Sequence, residues 1–392
     1  MPTGYRPTFE ISAGGQDVTA RFADRCLSIV VELTAGSGAQ DSVVIVLDDR
    51  EYKISSPRIK QRLDVRLGYE GIGTAFMGSF EVNKVIYSLP PRIISIHGTA
   101  ASNLNELKTQ RINNFSGKTV EQILAEVGRP LGFKIDIHPS IADEKIPTLD
   151  SNTSFGSLIG RLERQYDAVA KINDGRVSLV PRAGGVSVSD IAQPTYVLRD
   201  YSFADLEVVD ESAGEYAKVV ADYYDKDGNR TPADAAMSAL SNLDTSAVFK
   251  IPHVFASKEE AMAKAKSVMA QLDRSGEKIS ATLAEGDPWV RDLQRIVVAD
   301  IREGINGSYT LDAVRHSYEK LGGLRTSFTG VGGVNGLAQE FDSIGQPGSS
   351  VPRGAFLDIG PGQVFGQALP LELGSPNTSI PRLIGETPPS AN

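Results

Sequence analysis

Adjacent acidic residues are the first candidate for chemistry in this chain. Asp48, Asp49 and Arg50 follow an apolar run, and two carboxylates could act as the acid and base of a glycosidase or hold a cation. Neighbouring residues of a strand point to opposite faces, so these carboxylates would not flank one substrate bond unless a bulge intervened. We therefore favour an ion-pair network at a strand end, within one subunit or between subunits.

A second acidic segment, Asp225-Lys226-Asp227-Gly228-Asn229, is similar to the start of an EF-hand calcium loop. Such a loop needs glycine at its sixth position and a carboxylate at its twelfth. Here Gly228 is fourth and Ala236 is twelfth. The turn-forming residues instead predict the polar tip of a hairpin after Tyr223 and Tyr224.

The remaining reactive residue types form no recognisable site. The histidines are far apart, and no two of them have the helical i, i+4 spacing of a metal-ligand pair. Two glycine-rich segments, at 71–76 and 330–333, lack the other residues of dinucleotide- or phosphate-binding motifs. Cys26, the single cysteine, lies in a strand-like run and is predicted to be a small buried hydrophobe. We predict no catalytic residue, no metal and no cofactor.

Residues 1–104 are β-rich. Apolar residues alternate at Leu27, Ile29, Val31 and Leu33, and again at Leu63, Val65 and Leu67, which is typical of half-buried strands. Glycine and proline turns separate these runs. The spacing predicts a first antiparallel β-barrel-like domain.

Residues 105–185 are predicted to form a small α/β insertion module. A capping box at Thr119–Gln122 predicts a helix that ends near Gly128, and the polar cluster 150–154 predicts a second helix from Phe155 to Tyr166. Asp174-Gly175 predicts a hairpin that leads into a strand at 176–180. The module has enough apolar residues for its own small core.

Residues 186–335 return to β alternation and predict a second β-barrel-like domain. Val219, Ala221 and Tyr223 share one face, as do Ile279 and Ala281. Another capping-box pattern, from Ser257 to Glu260, predicts a helix near 257–273 that interrupts the domain and lies on its outside. The predicted fold class is α+β and mainly β.

Residues 336–392 differ in composition, since 17 of these 57 residues are glycine or proline. That content is too high for a separate core. The segment is predicted to be either a disordered tail or an extended one whose apolar residues bind the surface of a partner. The partner-contact candidates are Phe356, Leu357, Ile359, Val364, Phe365, Leu369 and Leu371.

Charge and hydropathy exclude several classes. The formal net charge is −9, with acids and bases interspersed, which argues against a basic nucleic-acid-binding surface and remains compatible with free passage of DNA. The longest apolar runs have strand length and fall far short of the roughly 20 residues of a membrane-spanning helix. We predict no membrane integration.

Seven short motifs follow one another along the chain: Gly15–Thr19, Leu47–Arg50, Lys108–Arg111, Ile146–Asp150, Leu162–Lys171, Gly307–Tyr309 and Val314–Tyr318. In this order they resemble the phage late control gene D protein family of tail baseplate hubs. The resemblance covers roughly the first 335 residues.

The resemblance implies a structural protein of the virion, assembled in the host cytoplasm. Such a hub is a homotrimer in which two similar barrels per subunit form a ring of pseudo-sixfold symmetry. The ring joins the tail tube, or a tube initiator protein, to the central spike, and DNA passes through it. Baseplate wedge proteins and the tape measure protein are further expected partners.

Three alternatives stay open. Some tail hubs carry lytic domains, so a tail-associated cell-wall hydrolase is one. The hub of a related contractile injection system is another. The family name also suggests a transcription regulator, but the acidic balance and the lack of a basic helix-turn-helix argue against it.

The sequence shows no convincing residue-by-residue match between the two β regions.

Overall fold

The structure is a computed structural model, and it describes most of the chain. The described residues are 6–36, 40–50, 52, 54–55, 57–100, 110–173, 175–182, 195–210, 216–225, 229–233, 236–237, 246–302, 304–333 and 356–358.

The first β region contains seven strands and one short helix among its described residues. They are β1 (Pro7–Ala13), β2 (Gln16–Asp17), α1 (Thr19–Ala23), β3 (Cys26–Thr34), β4 (Ser42–Asp48), β5 (Arg62–Tyr69), β6 (Gly73–Ser88) and β7 (Ile93–Ala100). In β5 the predicted alternation is confirmed, because Leu63, Val65 and Leu67 are all buried.

The alternation in β3 begins later than predicted. Ile29, Val31 and Leu33 enter the core, but a β-bulge after Cys26 adds one residue to the strand. Because a bulge reverses the side-chain alternation, Cys26 is buried where Leu27 is only half-buried. The prediction of a buried cysteine is confirmed.

The module between the β regions has its own core. Its elements are β8 (Gln110–Thr119), α2 (Val120–Gly128), a 3₁₀ turn (Arg129–Leu131), β9 (Lys134–Ile137), α3 (Pro139–Ala142), β10 (Lys145–Ser154), α4 (Phe155–Tyr166), β11 (Ala168–Asn173) and β12 (Arg176–Pro181). Strands β8 and β10 pair antiparallel, and β12 pairs with β11 antiparallel and with β9 parallel.

Both predicted helices of the module are confirmed, together with their caps. The Thr119 hydroxyl accepts a hydrogen bond from the Gln122 backbone N at 3.3 Å, and the Gln122 side chain accepts one from the Thr119 backbone N at 3.1 Å. Ser154 caps α4 by accepting from the Ser157 backbone N at 3.2 Å. These side chains satisfy backbone donors that have no partner within the helix.

The second β region contains the remaining described elements. They are β13 (Thr195–Leu198), a 3₁₀ turn (Asp200–Ser202), β14 (Phe203–Asp210), β15 (Lys218–Tyr224), β16 (Arg230–Pro232), β17 (Ala236–Met237), β18 (Val248–Phe255), α5 (Lys258–Ser275), β19 (Glu277–Leu283), β20 (Arg295–Val298), β21 (Gly307–Glu319), β22 (Gly323–Gly333) and β23 (Phe356–Asp358).

Fourteen of the described strands belong to one sheet. Its main path runs β14-β19-β22-β21-β3-β4-β7-β6-β5-β1-β2, while β13, β20 and β23 join at the side. The two β regions meet where β3 pairs antiparallel with β21, and a single apolar core contains residues of both regions. The predicted mainly β, α+β class is confirmed.

Strands β15 to β18 form a separate four-stranded sheet that α5 covers. Val219 and Ala221 are buried with Ala261 and Ala265 of α5 in a small core of their own. From the sequence, Val219 and Ala221 were assigned to the second β region, and this layer was not separated from it. Alternation predicts that a strand face is buried, but not which layer buries it. The Ser257 cap of α5 is confirmed.

The hairpin predicted after Tyr224 is also confirmed. β15 pairs with β16, and the backbone N of Asp225 donates to the Asn229 carbonyl at 2.9 Å. Residues 226–228 of its tip lie outside the described part of the chain.

Candidate assembly surfaces

The two β regions repeat one strand order. In the first region it is β1-β5-β6-β7-β4-β3, and in the second it is β13-β20-β21-β22-β19-β14. When the strands of each set are numbered in chain order, strands with the same number occupy the same place in the sheet. The corresponding pairs are β1 and β13, β3 and β14, β4 and β19, β5 and β20, β6 and β21, and β7 and β22. Neighbouring strands are antiparallel in both sets, with one exception: β13 is parallel to β20, whereas β1 is antiparallel to β5.

Two β-bulges occur at matching places in the repeat. The first follows Cys26 in β3 and Phe203 in β14, against β4 and β19 respectively. The second follows Val82 in β6 and Leu311 in β21, against β7 and β22. Because a bulge resets the register of a strand, matching bulges establish a residue-by-residue correspondence between the two regions.

A five-residue motif, Arg-x-x-Gln-Arg, precedes the corresponding strands β5 and β20. It occupies 58–62 in the first region and 291–295 in the second. In both copies the glutamine Oε1 accepts from the backbone N of the first arginine, at 3.1 Å for Gln61 and 2.8 Å for Gln294. The residue before each glutamine has a positive φ, 68° and 64° respectively.

The last arginine of the motif makes the same contact in both regions. Arg62 donates to the Ser79 hydroxyl at 2.8 Å, and Arg295 donates to the Ser308 hydroxyl at 2.6 Å. This repeat was not predicted from the sequence. The recurring motif was the available signal, but it is short, and a short match becomes meaningful only once strand order and bulges align with it.

The junction between the regions is a strand ladder. Residues 28–34 of β3 pair with 313–319 of β21. Across it, the Arg315 guanidinium donates to the Glu32 carboxylate at 2.8 Å. This pair is half exposed, so we attribute the joining of the regions to the ladder and the core beneath it rather than to the ion pair.

A buried polar cluster lies beneath that junction. His316 Nε2 donates to the Val290 carbonyl at 3.0 Å, and its Nδ1 lies 3.0 Å from the Thr326 hydroxyl. Burial, with a contribution from the charge of Arg291, lowers the pKa of His316 to about 3, so the imidazole is neutral. Burial raises the pKa of Asp287, whose backbone N donates to Thr326 at 2.8 Å, to about 7.

Lys171 of the module is held between both β regions. Its Nζ lies 2.8 Å from Asp41 Oδ1 in the first region and 2.7 Å from Asp292 Oδ2 in the second. Although burial opposes it, the two carboxylates raise the pKa of Lys171, so the lysine stays charged at neutral pH. Burial raises the pKa of Asp292, against the opposing charge of Lys171. This bridge could not be predicted from the sequence, because its residues are far apart in the chain.

Further contacts attach the module to the second region. Arg182 pairs with Asp312 at 3.0 Å, and Lys264 and Ser267 of α5 both donate to the Arg164 carbonyl, at 2.5 and 3.1 Å. A cleft of about 530 Å³ lies among these elements.

Two of the three acidic residues that line this cleft have structural roles. Glu163 accepts a hydrogen bond from the Ala170 backbone N at 2.6 Å, and Asp312 binds Arg182. A typical glycoside hydrolase uses two carboxyl groups that face a common substrate. The described cleft therefore gives no support to a glycosidase as the form of the hydrolase alternative.

The predicted cluster at the end of β4 divides between two environments. The carboxylate of Asp48 pairs with Arg50 at 2.6 Å, whereas that of Asp49 accepts from the Ile54 backbone N at 3.4 Å. Partial burial acts to raise the pKa of Asp48, but hydrogen bonds and charge from Arg50 outweigh it and hold that pKa below its usual value. These contacts lie within one chain, and a role of the cluster between subunits stays a prediction.

Of the partner-contact candidates, Phe356 and Leu357 lie in β23, whose backbone pairs parallel with β13. Ile359, Val364, Phe365, Leu369 and Leu371 lie outside the described residues. Contact of these residues with a spike stays a prediction.

Within the described ranges, no cluster of three or more His, Cys, Asp or Glu side chains could hold a metal ion. No helix of the same ranges has the length and apolar character required to cross a membrane.

The fold defined by this repeat and module is that of solved tail proteins. The tail protein from Neisseria meningitidis MC58 matches with a TM-score of 0.61 over 90% of this chain and 100% of its own, at 12% identity. The 43 kDa tail protein of prophage MuSo2 from Shewanella oneidensis matches with a TM-score of 0.59 over 83% of this chain and 98% of its own, at 16% identity.

The curated relatives are baseplate proteins of phages. The chain is 23% identical over 322 residues to a probable baseplate hub protein of Escherichia phage 186, which covers 72% of this chain and 82% of that protein. It is 24% identical over 218 residues to that of Escherichia phage P2, which covers 55% of this chain and 56% of the P2 protein. These relatives confirm the resemblance to phage tail baseplate hubs that the sequence motifs predicted. No protein-family model matches the chain.

Proposed function

We propose that this chain is the structural baseplate hub of a contractile phage tail. It forms a homotrimeric ring that joins the tail tube, or a tube initiator, to the central spike, inside a virion assembled in the host cytoplasm. Baseplate wedge proteins and the tape measure protein are its further partners. Its role is structural and not enzymatic.

The observation that supports a ring is the internal repeat. One chain contributes two β regions with the same strand order and matching bulges. Three chains would therefore place six similar units around one axis, which is pseudo-sixfold symmetry. In this proposal residues 1–104 and 186–335 are the two tube domains, and residues 105–185 are a module on them.

The net charge of −9 suits a ring through which DNA passes. An acidic wall repels phosphate groups, so the DNA would move without binding.

We propose that residues 336–392 bind the spike. The segment is rich in glycine and proline, and its apolar residues, among them Val364, Phe365 and Leu369, suit extended chain laid on a partner surface.

The native mass of the full chain, measured by light scattering, tests the ring. We expect about three times the 42.0 kDa of one chain. A monomer at every concentration, with and without its tube and spike partners, would contradict the proposal.

The spike contact has a separate test in co-purification of the full chain with its candidate spike protein. Replacing Val364, Phe365 and Leu369 together by aspartate should abolish co-purification and leave the mass unchanged. Equal recovery of the spike with both proteins would show that this segment is not the contact.

A further inference from the structure

Because the two β regions repeat one strand order, the junction between β21 and β3 has an equivalent elsewhere in the repeat. Within the residues that the structure describes, that equivalent junction has one of its two strands missing. In β21, residues 307–310 pair with β20, while 313–319 on the same edge pair with β3. In the corresponding strand β6, residues 73–81 pair with β5. On that edge no strand of the described part of the chain pairs with residues 84–88.

The strand that could complete this second junction is β14. Its counterpart β3 pairs with β4 on one side and with β21 on the other. β14 pairs with β19, and its other edge has no strand partner among the described residues. Each copy of the chain thus has one incomplete edge of each type.

The exposure of the side chains agrees with a missing neighbour. Ile29 and Val31 of β3 are 0% exposed, whereas the corresponding Leu206 and Val208 of β14 are half-buried. Val209 is 37% exposed. On β6, Tyr87 is 61% exposed where its counterpart His316 is 0% exposed. Exposed apolar residues on strand edges promote pairing with another chain.

The charges of the two edges are complementary. β14 has exposed acidic residues at Asp205 and Glu207. The β6 edge has one exposed base, Lys84, and no acid in residues 83–88. Unlike charges on neighbouring strands favour pairing, and like charges directly opposite oppose it.

We propose that β14 of one copy pairs antiparallel with residues 84–88 of β6 in the next copy, in the register that β3 and β21 adopt within the chain. Transferring that register places Ile86 opposite Val209 and Tyr87 opposite Val208. The interface is head-to-tail, since it uses two different edges, and repeating it closes a ring or continues as a filament. The inference rests on the proposed ring for the number of copies, but not for the pairing.

Paired cysteines test the register in the full chain. Cross-strand neighbours have Cβ atoms about 4.5–5.5 Å apart, so Ile86→Cys with Val209→Cys should join copies through a short thiol cross-linker. Ile86→Cys with Val208→Cys is the matched control, because one residue along a strand the side chain points to the other face. The native Cys26 is 1% exposed and should not react.

We expect at least tenfold more cross-linked product from the first pair than from the control, in steps that end at three copies. A protein that assembles but cross-links no better than its control would overturn the edge pairing and leave the ring intact. Cross-linking that stops at two copies, or extends without limit, would support the pairing and contradict the trimer. A chain that neither assembles nor cross-links would contradict both.

Introducing a lysine on the β14 edge gives an independent measurement. Val209→Lys should weaken self-association at least tenfold, because it places a lysine beside the base of the β6 edge. Val248→Lys is the control: Val248 is also exposed, at 46%, but it lies in β18 of the separate sheet. Equal association of both variants would overturn the proposal.

Discussion

The two β regions share strand order, bulges and the Arg-x-x-Gln-Arg motif, yet they differ in what surrounds them. The second region holds the module through Asp292. The corresponding residue in the first copy of the motif is Ile59, which is 56% exposed. The second region also has a buried polar cluster beneath the junction. One strand order therefore occurs in two environments. Substitutions at residues that differ between the two regions distinguish the side chains that maintain the strand order from those that attach the module.

The largest difference is expected from Lys171→Met. Removing the cation leaves the carboxylates of Asp41 and Asp292 close together and largely buried, which should lower the free energy of unfolding by about 3 kcal/mol. Arg176→Met breaks the exposed pair with Asp136 and should cost less than about 1 kcal/mol. Urea unfolding at fixed protein concentration measures both. Equal losses would mean that Lys171 does not bridge the regions.

Corresponding glycines provide the next comparison. A Cβ at Gly330 would lie 2.6 Å from the Thr310 carbonyl oxygen, whereas a Cβ at Gly98 would lie 3.1 Å from side-chain atoms of Phe80 and Val43 and 3.3 Å from the Glu81 carbonyl oxygen. The approach at Gly330 is shorter, and it is to backbone, which yields less than side chains do. Gly330→Ala should therefore cost about 3 kcal/mol and Gly98→Ala about 1 kcal/mol in urea unfolding. A larger loss at Gly98 would contradict the stated geometry.

Asp287 and His316 of the second region should give opposite pH dependences. The folded-state pKa of Asp287 is raised to about 7, so its contribution is present at low pH and is lost as pH rises toward 7. The folded-state pKa of His316 is lowered to about 3, so stability is lost as pH falls below about 6.5. Between about pH 4.5 and 6.5 the two slopes oppose each other.

The variants Asp287→Asn and His316→Gln separate these slopes. The stability of the wild type minus that of Asp287→Asn should fall by about 1.4 kcal/mol per pH unit as pH rises from 4.5 to 6.5, while the difference for His316→Gln should rise by about as much. Urea unfolding at three pH values measures both. Two differences that stay constant with pH would mean that neither group has the stated pKa.

The smallest effect is expected in the shared motif. Gln294 is 5% exposed and Gln61 is half-buried, and each accepts from the backbone N of its motif's first arginine. Gln294→Ala should cost about 1 kcal/mol because it leaves a less hydrated donor without its partner, and Gln61→Ala about half of that. Thermal unfolding of the two variants compares them directly. A greater loss from Gln61→Ala would contradict the assignment of the two environments.

Local patterns predicted the elements of this fold well. Thr119 and Ser154 marked helix starts, and the alternation of Leu63, Val65 and Leu67 marked a buried strand face, because caps and side-chain periodicity act over a few residues. The bulge after Cys26 was not predictable in the same way, since it depends on how β3 pairs with β4.

The sequence by itself determined the mainly β class, the capped helices of the module and the resemblance to tail baseplate hubs. The tertiary structure decided that the two β regions share one sheet and one strand order, that Lys171 reaches both of them, and that β15 to β18 form a separate layer with α5. The physical reason is range: capping and alternation depend on adjacent residues, whereas strand order, shared cores and buried ion pairs depend on residues that only the folded chain brings together.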